Sequence, residues 1–458
     1  MTLAVLTSVL AFVVAISVLI AVHEFGHFWV ARKLRFKVLR FSIGFGRPLL
    51  KRTGAAPDHT EYVLAALPLG GYVKMLDERE GPLDPADRAR AFQSRPPLAR
   101  IGVLLAGPGA NFLFAVVAFW ILYMAGVPGL KPVVGEVTPG SIAAEAGLES
   151  GQTIVRVGSA PVATREAAML GILDVLVDEG RVPVTLVDEA GREHATTLFV
   201  AADKRRQLTE PGALLSGLGF SFWFPKIPVV VGELVEGGPA QRAGLQPGDT
   251  IVAVDGEPVD DFRQFVERVR AHPGETLAFD LRRDGEPLRL EVAVEAQQEE
   301  GATIGRIGMS AGGTASFPEW MRTEERFGPV AALAPAARET WDKTALTVKF
   351  LWRMVTGDVS TKNISGPINI AQYAGLSALG GFTYFLGFMA LISISLGVLN
   401  LLPIPILDGG QVLYQLAEMI KGSPLSEEIQ VAGQKVGIAF LVALMGFAFY
   451  NDIVRLIG

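Results

Sequence analysis

Four runs of the chain are apolar over the length a bilayer core requires, about 20 residues for a helix. Residues 3–22 (LAVLTSVLAFVVAISVLIAV) carry no charge, and the run continues to residue 30. The second run is 101–126 (IGVLLAGPGANFLFAVVAFWILYMAG), the third is 381–403, ending in GVLNLLP, and the fourth is 436–450, leading into Asn451 and Asp452. The pattern predicts four transmembrane helices, over 1–31, 100–126, 381–403 and 434–453, with a loop at 404–433. One group of polar residues interrupts the first run at its far end: His23-Glu24-Phe25-Gly26-His27. A charged side chain at the centre of a membrane helix costs about 2.5–3.5 kcal/mol on insertion scales, so polar groups kept there have work to do.

The blocks between the runs differ in pattern. Residues 32–99 are rich in Arg and Lys close to both membrane ends, which predicts a cytoplasmic loop and places 127–380 and both termini on the other side. Within 127–380, residues 133–162 align without gaps on 230–259, with identity at sixteen of the thirty positions. Each copy reads as strand, short helix, Gly-containing turn, strand and tight turn, which predicts duplicated domains over 127–214 and 215–312 rather than a solenoid. Ala-Gly-Leu-x-x-Gly-Asp-x-Ile at 243–251 resembles PDZ domains of bacterial proteases; the first copy departs from it at Gln152, where the second has Asp249. The resemblance implies a sheet edge that binds extended peptides by their C-termini. Gly217-Leu218-Gly219-Phe220, just before the second copy, reads either as its carboxylate-binding loop or as a Gly-rich strand entry. Residues 313–380 mix Trp320, Trp341 and Trp352 with Lys343, Lys349 and Arg353, which suits a helix at a membrane interface or one packed on the repeats.

Composition agrees with a multi-pass membrane protein: 50% of residues are hydrophobic and only 19% charged. A net charge of −6 gives no basic face for nucleic acid. No cysteine is present, which excludes disulfides, thiolate metal sites and a cysteine nucleophile. The N-terminal run has no basic residues before it and no small-residue cleavage site after it, so it reads as a retained span. Of five histidines, two fall in the polar group inside the first span.

His-x-x-x-His on a helix puts two imidazoles on one face, where they can hold Zn²⁺, and the adjacent Glu24 is placed to act as general base. A catalytic zinc site takes three protein ligands. The third must lie at the same depth and on the same side, and Asp408, just past the third span, meets that condition if the spans alternate. It lies in Asn400-Leu-Leu-Pro403-Ile-Pro405-Ile-Leu-Asp408-Gly-Gly.

His-Glu-x-x-His in the first span and Asn-x-x-Pro-x-Pro-x-Leu-Asp-Gly after the third resemble the two signatures of the site-2 protease family of intramembrane metalloproteases. Gly107-Pro108-x-x-Asn111 resembles a further motif of that family, and Gly70-Gly71-Tyr72-Val73-Lys74-Met75 its membrane-associated β-hairpin. The resemblance implies one zinc ion held by His23, His27 and Asp408, with Glu24 activating water. It also implies a bacterial inner-membrane location and single-span substrates, such as an anti-sigma factor already cut outside or a remnant signal peptide. The strand Gly71-Tyr72-Val73-Lys74, together with Asn400, Pro403 and Pro405, would hold the substrate unwound, since a helix in lipid hides its peptide bonds. Asn111 reads equally as glue between helices. Two other functions stay open: a PDZ-based membrane sensor with a vestigial metal site, and a membrane-tethered protease acting on soluble proteins.

Overall fold

The computed structural model describes every residue except 1, 57, 81–82, 86, 300–301, 314–315 and 458. The first span becomes α1 (Thr2–Lys33). The loop that follows carries two long antiparallel strands, β1 (Val38–Thr53) and β2 (Glu61–Met75). The expected hairpin is folded back on itself. Arg40 pairs with both Lys74 and Glu61, and Ile43 with both Gly71 and Leu64, so 38–43 lies between 71–75 and 61–64, with 50–53 outermost. Bends at Gly44 (φ 88) and Gly46 (φ 86) allow the reversal, in a backbone region that side chains disfavour. Segment 71–75 is thereby left as a sheet edge.

The second span is α2 (Pro97–Ala125), with Pro at its first position and Pro108 inside. It crosses α1 closely. A Cβ on Gly26 would sit 2.7 Å from Ala110 Cβ and closer still to Ala106 O, so the crossing depends on small residues.

Two similar units follow β3 (Val127–Leu130). The first contains β4 (Val134–Val137), α3 (Ile142–Glu145), β5 (Thr153–Val157), β6 (Ala160–Pro161), α4 (Arg165–Glu179), β7 (Arg181–Val187) and β8 (Glu193–Phe199). It continues through α5 (Ala202–Leu208), α6 (Ala213–Leu218) and β9 (Phe220–Phe222), and β9 pairs with β4. The second contains β10 (Val231–Leu234), α7 (Pro239–Arg242), β11 (Thr250–Val254), β12 (Glu257–Pro258), α8 (Phe262–Arg270), β13 (Thr276–Arg283) and β14 (Glu286–Ala293). A hairpin of β15 (Glu295–Glu299) and β16 (Ala302–Arg306) leads to β17 (Met309–Ala311), which pairs with β10. Each unit therefore closes with a strand from its own C-terminal end. This corrects the expected boundary at 214/215. Leu214, Leu218, Phe220 and Phe222 belong to the core of the first unit, so Gly217–Phe220 serves that unit and not the second.

The departure at Gln152 has a physical reason. In the second unit Asp249 accepts from Gln246 N (2.9 Å) and pairs with Arg283 (2.7 Å). In the first, Gln152 Oε1 accepts from Glu149 N (2.9 Å), which closes the same turn without a charge. The strand registers Thr250–Arg282 and Thr153–Val187 put Asp188 where Arg283 stands, so both partners changed together. The Arg283 hydrogen bond holds the Asp249 carboxyl below the usual aspartate range. Its stabilisation is present above the unfolded value near ~3.9 and is lost as pH falls through the lowered folded value. Asp249→Asn is expected to destabilise the second unit by about 1 kcal/mol at pH 7, because the charge-assisted pair with the partly exposed Arg283 becomes a neutral contact. Hydrogen exchange over 229–311 in the full chain should show that difference in full at pH 7 and progressively less of it as pH falls below about 4.

The segment 313–380 forms β18 (Arg322–Glu325), paired with β3, then α9 (Leu333–Thr356) and α10 (Pro367–Leu379). α9 packs on α2, and its basic side chains face the first unit: Lys349 pairs with Asp178 (2.7 Å) and Arg353 with Asp178 (3.2 Å). Trp341 and Trp352 remain exposed. The third span is α11 (Phe382–Asn400). The expected loop 404–433 instead holds a helix, α12 (Asp408–Lys421), and the last span is α13 (Glu427–Ile457), longer at both ends than expected. Among the described residues four helices, α1, α2, α11 and α13, are long and apolar enough to cross a membrane. Buried Asp452 caps α10 by accepting from Gly366 N (2.9 Å), Ile368 N (2.9 Å) and Asn369 N (3.1 Å).

Candidate metal centre

His23 and His27 stand one turn apart on α1, with their rings edge to face at 4.7 Å between centroids. Asp408, the first residue of α12, brings its carboxylate to both. Asp408 Oδ2 lies 3.2 Å from His23 Nε2 and 3.4 Å from His27 Nε2, and the two Nε2 atoms are 3.1 Å apart. Zinc bonded tetrahedrally to nitrogen and oxygen at about 2.0–2.2 Å separates its ligand atoms by about 3.4 Å. Asp408 Oδ2 is buried and, among the described residues, has no hydrogen-bond partner. A buried carboxylate oxygen without a donor carries a large desolvation cost, and a cation between it and the two imidazoles removes that cost. The three donors fit zinc, and among the described residues no other His, Asp or Glu cluster has this form.

α2 orients both rings. His27 Nδ1 lies 2.8 Å from Val103 O, so it carries the proton and leaves the Nε2 lone pair facing Asp408 and His23. Pro108 removes an N–H from the helical ladder at that same turn. The Asn111 carboxamide is fully buried, 3.2 Å from His23 Nδ1, and its Oδ1 has no partner. With the amide turned over, Oδ1 accepts from His23 Nδ1–H, and the His23 Nε2 lone pair then faces the centre. Ser393 Oγ on α11 donates to the Asn111 backbone carbonyl (2.8 Å), tying in the third span. Asn111 thus touches a candidate ligand as well as joining helices. Gly107 gives both rings room, since a Cβ there would lie 2.6 Å from His27 Cε1 and 2.8 Å from His23 Cε1.

Glu24 is adjacent to His23 and faces the sheet edge. A Cβ on Gly71 would lie 2.9 Å from Glu24 Cγ and 3.1 Å from Ile20 Cγ2, so the 71–75 strand runs against the helix at the glutamate. Tyr72 accepts from Arg40 Nη1 (3.1 Å) and stacks with Phe45, while Val73 packs beside the cluster of Phe36, Val38 and Val103. Among the described residues no backbone group pairs with the far edge of 71–73.

The Asn400 motif forms the turn that aims Asp408. Asn400 ends α11, half-buried, and its side chain makes no hydrogen bond among the described residues. Pro405 O accepts from Gln411 Nε2 (2.6 Å), while Pro403 is exposed. Gly409 and Gly410 are buried against the carbonyls of Leu401, Leu402 and Ile404, where a side chain would not fit. The sequence reading missed Arg100 and Glu418. Arg100 is buried in α2, and Nη1 donates to Glu418 Oε2 (3.0 Å) while Nη2 pairs with Oε1, joining α2 to α12. Arg100 was visible only as one more basic residue near a membrane end.

The model of peptidase family M50 matches residues 11–444. The regulator of sigma-E protease RseP of Salmonella typhimurium is 42% identical over 99% of this chain and 100% of its own. RseP of Escherichia coli is also 42% identical, over 97% of this chain and 98% of its own. A Vibrio cholerae protein, named provisionally as a zinc metalloprotease, is 39% identical over 99% of both. Among solved structures, the PDZ domain of an SdrC-like protein from Listeria innocua is 22% identical, covering 18% of this chain and 91% of its own with a TM-score of 0.16. With identity this high over nearly the whole length, the chain belongs to peptidase family M50 and is a zinc metalloprotease.

Proposed function

We propose that the protein cuts single-span membrane proteins inside the bilayer, with His23, His27 and Asp408 holding one zinc ion and Glu24 serving as general base. The observation that carries this reading is the convergence of three donors from α1 and α12 beside Glu24, with the sheet edge at Gly71 running against that glutamate. Zinc at this site supplies Lewis acidity and lowers the pKa of water toward ~7. Glu24 takes the proton from the attacking water and passes it to the leaving amine. The edge at Gly71–Lys74 pairs with substrate backbone freed from its helix, so the scissile bond is held extended next to Glu24. Asn400, whose carboxamide has no partner among the described residues, supplies a donor and an acceptor to the same backbone. Pro403 and Pro405 keep the segment before Asp408 from continuing α11.

The basic loop supports an active site near the cytoplasmic face of the inner membrane, with the two units on the periplasmic side. Anti-sigma factors of the single-span type fit as substrates, by analogy with relatives named as regulators of sigma-E. The units are PDZ-like. Gly219 N in the first already donates to the end of α6, whereas Gly308 N in the second makes no hydrogen bond among the described residues, so the second is the better candidate for holding a peptide C-terminus. α9 lies at the lipid interface, with Trp341 and Trp352 outward. Mass spectrometry of the products of a co-expressed single-span substrate tests the reading. The new N-terminus is expected inside the apolar span; a terminus confined to the soluble domains would mark a tethered protease acting outside the bilayer.

A further inference from the structure

α12 presents an unusual problem of placement. It carries Asp408, yet among the described residues none of its side chains belongs to a hydrophobic cluster. Its buried positions are Gly409, Gly410 and Gln415, which offer little apolar area to fix a helix in rotation or depth. The two imidazoles, by contrast, are held firmly to α2 through Val103 O, Asn111 and the tight crossing at Gly26. Correct geometry therefore depends on what fixes α12 to α2.

The contact that does so lies at the opposite end of α12. Asp408 and Glu418 are ten residues apart on α12, a rise of about 15 Å. α12 is therefore held near both of its ends. At one is the candidate metal centre; at the other is the two-armed Arg100–Glu418 pair, with both side chains largely buried. A planar guanidinium meeting a carboxylate by two arms fixes direction as well as distance.

We infer that Arg100 and Glu418 are positioning residues that set the depth and rotation of α12 and so hold Asp408 within bonding range of the metal. The inference rests on the reading of His23, His27 and Asp408 as zinc ligands. Removing one partner leaves the other buried and unpaired, and the helix relieves that by shifting toward water. Metal bonds tolerate about 0.2 Å of error, so a small shift of Asp408 weakens binding.

The test is zinc affinity of the full-length protein in detergent, measured by competition with a chromogenic chelator alongside thermal unfolding. Arg100→Met is expected to weaken zinc binding by about 10–100-fold, the range for loss of an outer partner. Arg100→Lys keeps the charge but loses the fork, and is expected to fall between that variant and the parent. The reversed pair, Arg100→Glu with Glu418→Arg, is expected to recover most of the loss. Asp408→Ala checks the underlying reading, because it must abolish tight zinc binding; if it does not, the ligand assignment fails whatever Arg100 does. With that control behaving, unchanged zinc affinity in folded Arg100→Met or Arg100→Lys overturns the inference. So does a reversed pair that melts like the parent yet stays as weak for zinc as Arg100→Met.

Discussion

Glu24→Gln is expected to bind zinc like the parent chain and to cleave a single-span substrate about 10³-fold more slowly, in the middle of the range for a general acid–base group. Gln has almost the same shape as Glu, so the packing of α1 against the Gly71 strand is preserved. The three donor atoms that approach one another come from His23, His27 and Asp408, and Glu24 supplies none of them. Zinc content and cleavage should therefore separate. Loss of zinc along with activity would instead make Glu24 a ligand or a structural support. Undiminished cleavage with zinc intact would remove it from the reaction and reopen the reading of a membrane sensor with a vestigial site.

The features legible in the sequence are those with a local physical signal. Bilayer-length apolar runs give the spans, because no polar stretch can be lipid-exposed. The spacing of His23 and His27 puts them on one helical face whatever the rest of the chain does. Asp408 could be matched to them because alternating spans put the C-terminal ends of the first and third on one side. What the sequence hid is set by contacts distant along the chain. The Gly217–Phe220 strand looks like an entry to the second repeat, and only its pairing with Val134–Val137 assigns it to the first. α12 reads as loop because Pro403 and Pro405 keep the segment before Asp408 irregular, yet the helix starts directly after them and takes Gly409 and Gly410 into its first turn. Arg100 counts the same in a tally of loop charge whether it meets lipid headgroups or a carboxylate 318 residues away.

Gly107→Ala is expected to cost the protein its zinc by at least about 100-fold in affinity, and its cleavage activity in proportion. By helix propensity alone the change should help, since Ala is better than Gly inside a helix by up to about 1 kcal/mol. The site reverses that expectation. The new methyl group would stand 2.6 Å from His27 Cε1 and 2.8 Å from His23 Cε1, and nearer still to His27 Nε2, the atom that would bind the metal. Neither ring can yield freely, because His27 Nδ1 is tied to Val103 O and His23 Nδ1 to Asn111, both on the helix that carries the methyl. Yielding would break those bonds and swing both Nε2 atoms away from Asp408. Gly109→Ala, two residues along the same helix, is the matched control: its Cβ meets nothing within 4 Å, so it should keep zinc and melt at or above the parent temperature. Equal zinc affinity in the two variants, measured by chelator competition, would mean that Gly107 is not the wall of a metal site and that the imidazoles face something else.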